Sequence, residues 1–201
     1  MTINVGIYLY SDVEVLDFAG PFEVFSTASR VKARLDPDSD AFFNVFTIGE
    51  TMAAIHARGG LQVVPKYAIS EHPSIQMLII PGGIATAEME KAHVVEWIAA
   101  CSGKTDITAS VCTGAFLLAK AGLLSAKRAT THWEDIQYLR TMFPDIDVRR
   151  NVRWIDEGHV VTSAGISAGI GMSLHLVSRL ATEDLAVRTA RQMEFDWIRD
   201  V

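Results

Sequence analysis

The chain has 201 residues, 49% of them hydrophobic, which is enough for one domain with a sizeable core. A formal net charge of −6 gives no electrostatic reason to expect binding to nucleic acid. No apolar run approaches the roughly 18 residues of a membrane span. The first residues, MTINVGIYLY, lack the features of a signal peptide, and the two cysteines do not make a disulfide framework. We therefore expect a cytoplasmic protein with one domain over residues 1–201, and neither a nucleic-acid nor a membrane partner.

Strand-like and helix-like segments alternate along the chain. The first strand is predicted at Ile3–Tyr10, and a helix is predicted from about Pro21 to Arg34, with the proline at its start. A short apolar strand at Met77–Ile80 ends at the sequence Pro-Gly-Gly. The other predicted strands are Phe42–Ile48, a hairpin over Ile55–Val64, Asp106–Ser110, Ala129–Thr131, Val152–Ile155 and Val160–Thr162. The other predicted helices are His93–Ser102, a segment from the residue after Cys112 to Ala121, Gly165–Leu180 and Glu183–Arg199.

Apolar strands that alternate with helices are typical of a mostly parallel sheet with helices on both faces. In such α/β folds, ligands bind at the carboxyl ends of the strands. Cys112 lies at one of these ends, between a predicted strand and a predicted helix. A side chain on so tight a turn is pushed out of the sheet, as in a nucleophile elbow.

The predicted surroundings of Cys112 favour reactivity. The N–H groups and the partial positive charge of the helix that follows are expected to lower the pKa of the thiol. The alternative is that Cys112 is a small buried apolar residue, as free cysteines often are. Cys101 ends a predicted helix with no strand leading into it, so we expect it to be structural.

Two other strand ends offer groups that would assist a thiolate. Asp17 is a lone carboxylate between apolar neighbours, so it is expected to be partly buried with a raised pKa, and it would then serve as an acid. Its alternative role is that of a turn or capping residue ahead of Pro21. The backbone N–H groups of Gly82 and Gly83 could point into the same pocket, although a Pro-Gly-Gly sequence alone indicates only a turn.

The histidines do not suggest a metal site. His132 lies at another predicted strand end and is the best candidate for a wall of the pocket, whereas His175 is expected to be packed within its helix. The sequence contains no HExxH, no CxxC and no glycine-rich phosphate loop. We therefore expect neither a metal nor a cofactor.

Four segments in order, LDFAGP, IIPGG, SVCTGAFLLAKAGLLSAKRATTHW and TSAGISAGI, resemble the ThiJ/PfpI superfamily, flavodoxin-like relatives of the class I glutamine amidotransferases. Within it the sequence resembles the isonitrile hydratases, and also the amidase-like ligand domain of AraC-type transcription regulators. The resemblance implies a flavodoxin-like three-layer α/β sandwich that forms a homodimer. It also implies a small-molecule substrate, an isonitrile that is hydrated to an N-substituted formamide.

The resemblance also implies roles for particular residues. Cys112 matches the nucleophile, Asp17 its acidic partner, and Thr113 follows the cysteine where the superfamily's proteases have histidine, which argues against peptidase activity. A departure is Gly171, where the relatives usually carry aspartate. The residues expected around the substrate are Gly82, Gly83, Ile84, His132 and Trp133.

Two alternatives to the hydratase stay open. One is a ligand-sensing module without turnover, and the other is a different thiol activity of the glyoxalase or amidase kind. The regulators carry a DNA-binding domain behind the ligand domain, and a chain that ends at Val201 leaves no room for one. We therefore expect an enzyme.

Overall fold

The central strands are apolar because helices cover both of their faces. The computed structural model describes residues 2–38 and 40–199, so Ser39 of the turn-rich segment Asp36–Asp40 lies outside the described residues. The strands are β1 (Ile3–Leu9), β2 (Phe43–Gly49), β3 (Ile55–His56), β4 (Gln62–Val63), β5 (Tyr67–Ala68), β6 (Met77–Ile80), β7 (Ile107–Val111), β8 (Arg128–Ala129), β9 (Asp147–Val148), β10 (Trp154–Asp156) and β11 (Val160–Ser163).

Within the described ranges, the main sheet has seven strands in the order β10-β11-β7-β6-β1-β2-β5. Neighbouring strands run parallel, except that β10 is antiparallel to β11. Strand β6 pairs with β1 on one side and with β7 on the other, and Ile79 lies opposite both Ile7 and Ala109. The segments that follow these three strands therefore meet at one edge of the sheet.

The helices form the two outer layers, and the predicted α/β architecture with a mostly parallel sheet is confirmed. The helices are α1 (Val15–Leu35), α2 (Thr86–Met89), α3 (Ala92–Ser102), α4 (Gly114–Lys120), α5 (Ile136–Met142), α6 (Ala168–Leu180) and α7 (Glu183–Gln192). Helices α1, α6 and α7 pack together on one face, and α2, α3 and α4 pack on the other. Of the helices in the described part of the chain, none combines the length and hydropathy needed to cross a bilayer.

The predicted start of the first helix is wrong. Helix α1 begins at Val15, so Pro21 lies inside it and Asp17 lies in its first turn. A proline within a helix lacks the N–H that would bond to the carbonyl four residues earlier, here that of Asp17. The first turn of α1 is held by a contact outside the helix. The N–H of Glu14, at the N-cap, donates to the carbonyl oxygen of Gly82 at 2.8 Å.

The ends of α7 and β8 also differ from the prediction. Helix α7 ends at Gln192 and not at Arg199, because the chain turns at Glu194 (φ +52°) and packs Phe195 against the core. Strand β8 stops at Ala129, so His132 lies in a loop, and β8 pairs with β9 outside the main sheet. Helices α2 and α5 were not predicted.

Gly114 sets the angle between β7 and α4, and its replacement tests this close packing. A Cβ atom at this position would lie 2.1 Å from the carbonyl oxygen of Ile80 and 2.9 Å from that of Pro81. We expect Gly114→Ala to lower the free energy of unfolding by about 2–4 kcal/mol, since backbone atoms must move apart. The measurement is urea unfolding.

Gly103→Ala is the matched control, because the nearest atom to its added Cβ would be 3.6 Å away. Its free energy of unfolding should stay within about 0.5 kcal/mol of the original value. An equally stable Gly114→Ala protein would contradict this account of the turn.

Candidate active site

Cys112 lies on a strained turn directly after β7, in the elbow that the sequence predicted. Its φ of +57° is in the left-handed region, which costs a residue with a side chain on the order of 1–2 kcal/mol. Hydrogen bonds hold the strained backbone: the N–H of Cys112 donates to the carbonyl oxygen of Ser163 at 3.2 Å, and its own carbonyl accepts from Thr131 Oγ1 at 2.8 Å. The side chain lies at the carboxyl edge of the sheet and is 7% exposed.

Asp17 reaches the same place from the first turn of α1, and it is fully buried. Its Oδ2 atom accepts a hydrogen bond from the N–H of Gly82 at 3.0 Å. Its other oxygen, Oδ1, is buried, and no described group makes a hydrogen bond of normal geometry to it. The thiol of Cys112 and the N–H of Ile166 both interact with the carboxyl group and favour its ionised form.

Burial dominates the acidity of Asp17. Loss of hydration raises its pKa to about 7, and the nearby charge of Glu14 adds to the rise, whereas the N–H of Gly82 opposes it. The expectation of a buried carboxyl group with a raised pKa is therefore confirmed. The turn-capping alternative does not describe its position, because its side chain points into the protein interior.

The expectation of a lowered pKa for Cys112 is wrong. Burial, followed by the charge of Asp17, raises the pKa of the thiol to about 12, although the N–H and hydroxyl of Thr113 act in the opposite direction. Helix α4 has only seven residues, so its dipole does not outweigh the lost hydration. The two acids are coupled, because the negative charge on Asp17 makes the thiol proton of Cys112 harder to remove.

The two glycines after β6 join the site through hydrogen bonds that differ from the expected ones. The N–H of Gly83 donates to Thr113 Oγ1 at 2.8 Å, and the same hydroxyl donates to the carbonyl oxygen of Gly83 at 2.9 Å. The N–H of Gly82 is taken by Asp17. The backbone donor that reaches the sulfur is therefore Thr113 and not Gly83.

Gly82 also has a steric reason to lack a side chain. A Cβ atom there would lie 2.6 Å from the nitrogen of Thr113 and 2.8 Å from Asp17 Oδ2. The carboxyl group, the peptide of Gly82 and the start of α4 thus touch one another. This packing brings Asp17, Gly82, Gly83, Cys112 and Thr113 together.

The other three expected residues are Ile84, Trp133 and His132. Ile84 and Trp133 are 53% and 75% exposed. His132 packs against Gly165, and its Nδ1 atom lies 3.6 Å from Asp135 Oδ2 and 3.7 Å from Glu134 Oε2. Among the described residues, no group of three or more His, Cys, Asp or Glu side chains is arranged to hold a metal ion.

Sequence reasoning missed two residues that contact the pair or its supports. Ile166 has a φ of +51°, unusual for a β-branched residue, and this conformation directs its N–H toward Asp17. Tyr10 is buried, and its hydroxyl donates to the carbonyl oxygen of Pro81 at 3.1 Å. The position of Tyr10 just after β1 and seven residues before Asp17 was the available signal; no sequence signal marks Ile166.

A family model supports the grouping suggested by these motifs. The model described as the DJ-1/PfpI family matches residues 4–179 of this chain. The chain belongs to the DJ-1/PfpI family. The predicted ThiJ/PfpI resemblance is therefore confirmed.

Curated relatives in this family include both an enzyme and regulators. The chain is 30% identical over 196 residues to isonitrile hydratase from Pseudomonas putida, covering 97% of this chain and 79% of that protein. It is 24% identical to the HTH-type transcriptional regulator GbdR from Pseudomonas aeruginosa, covering 98% of this chain and 52% of the regulator. The chain thus spans about half the length of that regulator.

Solved structures share the fold. A ThiJ/PfpI family protein from Pseudomonas syringae superposes with a TM-score of 0.85 at 23% identity, over 98% of this chain and 76% of that one. Drosophila melanogaster DJ-1beta superposes with a TM-score of 0.81 at 17% identity, over 98% of this chain and the whole of that one. At these identities the likeness establishes the fold alone.

Burial of Asp17 has a consequence for stability. Between about pH 4 and 7 the folded protein keeps the proton on this carboxyl group while the unfolded chain has lost it, so stability falls as the pH rises and levels off above pH 7. Asparagine carries no charge and retains an oxygen that can accept from Gly82. We expect the stability advantage of Asp17→Asn over the original protein to grow by about 2–3 kcal/mol between pH 5 and pH 8.

Urea unfolding at the two pH values measures this change. Asp196→Asn, on an exposed residue, is the matched control and should show no such growth. If Asp17→Asn followed the same pH dependence as the original protein, the carboxyl group would not be held in a strongly desolvated state.

Proposed function

We propose that this protein is an isonitrile hydratase, an enzyme that adds water to an organic isonitrile, R–N≡C, and releases the formamide R–NH–CHO. The observation that carries the proposal is the buried pair of Cys112 and Asp17, whose side chains contact each other and whose pKa values are both raised by burial. Such a pair supplies a nucleophile and a group that takes up and returns its proton. The similarity to the Pseudomonas putida enzyme supports the same reaction.

The first half of the reaction forms a covalent intermediate. Asp17 takes the thiol proton as Cys112 Sγ attacks the terminal carbon of the isonitrile, and it then passes that proton to the carbon. The product is a thioimidate, R–N=CH–S–Cys112, and Asp17 is left ionised. The N–H of Thr113 stabilises the negative charge that develops on the sulfur as its proton leaves.

The second half releases the product. Asp17 takes a proton from water as the water oxygen attacks the thioimidate carbon, and Asp17 then passes that same proton to the nitrogen. The tetrahedral intermediate R–NH–CH(OH)–S–Cys112 then collapses: the C–S bond breaks, the hydroxyl proton returns to the pair, and the formamide leaves. Neither metal nor organic cofactor takes part in this proposal.

A cavity of about 360 Å³ lies beside the elbow. Its lining is mixed: Trp133, Ile136 and Val152 are apolar, whereas Glu134, Gln137, Arg150 and Asn151 are charged or polar. Thr131 and Ala164 also line it, and both bond to the backbone of Cys112. We assign the R group to this cavity and to the exposed side chains of Trp133 and Ile84; His132, the residue before Trp133, does not line the cavity.

Gly82 and Gly83 contribute by fixing Asp17 and Thr113, so their part in substrate binding is indirect in this proposal. The proposal takes a homodimer as the functional unit.

The alternative is a sensing module that binds a small molecule without turnover. The similarity to a transcriptional regulator over 98% of this chain favours it. The two functions differ in what the sulfur is needed for. A sensor without Cys112 keeps its ligand affinity, whereas an enzyme without Cys112 loses turnover.

Formamide production from a simple aryl isonitrile is the test. We expect Cys112→Ala to lower the rate about a thousandfold or more, because the covalent route is lost. In the original protein, kcat/KM should rise with pH through about 7, as the pair loses its first proton.

Cys101→Ala is the matched control and should retain activity, since Cys101 is a buried residue of α3 that lies outside the site. Full activity in Cys112→Ala would refute the proposed mechanism. Absence of turnover in the original protein, together with isonitrile binding that survives in Cys112→Ala, would favour the sensor.

A further inference from the structure

A single peptide group links a buried tyrosine to the carboxyl group of the site. Tyr10, one residue beyond β1, donates its hydroxyl proton to the carbonyl oxygen of Pro81 at 3.1 Å. The same peptide group carries the N–H of Gly82, which donates to Asp17 Oδ2 at 3.0 Å. This peptide group thus accepts one hydrogen bond at its oxygen and donates another from its nitrogen.

Hydrogen bonds arranged in this way strengthen each other. The peptide bond is delocalised, so a donor at the oxygen draws electron density from the nitrogen and makes the N–H a better donor. Cooperative strengthening of this kind is about 10–30% per bond. A stronger N–H bond to a carboxylate favours its ionised form.

We propose that Tyr10 is a positioning residue for Asp17, acting through the peptide between Pro81 and Gly82. Its hydroxyl holds this peptide in place and polarises it, so that the Gly82 N–H stays directed at Oδ2 and binds the carboxylate more tightly. The effect on Asp17 is independent of the substrate; its relevance to turnover rests on the proposed function.

The charged surroundings are compatible with this role. Asp17 is faced by Glu14 from the residue before α1, by Cys112 from the elbow and by Tyr10 from the end of β1. Tyr10 is in addition influenced by Glu88 of α2. Burial raises the pKa of Tyr10 well above its usual value, so the hydroxyl remains a donor over the whole range in which Asp17 titrates.

Tyr8, in β1 and two residues before Tyr10, provides a matched control. Its ring stacks on that of Tyr10, with centroids 5.9 Å apart, so both rings occupy the same layer. Its hydroxyl, however, donates to the buried carboxylate of Glu88 and not to the Pro81 carbonyl. Tyr8→Phe therefore removes a buried hydroxyl next to Tyr10 without touching the peptide that serves Asp17.

The experiment is a carbon-13 NMR titration of the Asp17 carboxyl group, assigned by the signal that Asp17→Asn removes. Tyr10→Phe keeps the ring and removes the donor, so we expect the pKa of Asp17 to rise by about 0.3–0.5 pH units. Tyr8→Phe should leave it within about 0.1 units. An unchanged pKa in Tyr10→Phe, or an equal rise in both variants, would overturn the proposal.

A second measurement avoids any loss of folding in Tyr10→Phe. Fluorotyrosine incorporated into the Tyr8→Phe protein makes the Tyr10 hydroxyl a stronger donor and should move the pKa of Asp17 in the opposite direction, downward. No downward shift would also overturn the proposal. Neither titration uses an isonitrile. Failure of the proposed role of Tyr10 can therefore be distinguished from failure of the proposed hydratase function.

Discussion

The site depends on two acids that are buried against each other. Loss of hydration raises the pKa of both Asp17 and Cys112, and the charge on Asp17 raises that of Cys112 further. The second proton is therefore hard to remove once the first has left. Once Asp17 has lost its proton, the thiol of Cys112 still keeps its own, and this combination of one negative charge and one proton is what the proposed addition of water to an isonitrile needs.

Two features of this pair reduce the stability of the folded protein, and both lie at one edge of the sheet. Cys112 has a left-handed backbone, and Asp17 is desolvated. The sheet order places β6 between β1 and β7, so Gly82, just after β6, lies next to the segments that carry Asp17 and Cys112. Its N–H binds Asp17 and its carbonyl accepts from Glu14, which fixes both ends of the first turn of α1.

The sequence pattern was sufficient for the parts of the site that depend on local order. Alternating apolar strands and helices predicted the sheet and the elbow, and the apolar neighbours of Asp17 predicted its burial. The direction of the Cys112 pKa was not predictable, because burial comes from distant packing and outweighs the short α4. The start of α1 was predicted wrongly from Pro21, because the first turn of this helix is fixed by contacts with Gly82. The role of Tyr10 was not predictable either, because its hydroxyl bonds to Pro81, which lies 71 residues further along the chain.

The direct test of the coupled pair is the ultraviolet absorbance of the Cys112 thiolate as a function of pH, with Cys112→Ala as the blank. In the original protein we expect the thiolate to form only far above neutral pH, toward about 12. In Asp17→Asn the pKa of Cys112 should fall, because the neighbouring negative charge is gone. An equal or higher pKa in Asp17→Asn would contradict the claim that the two groups share one charge.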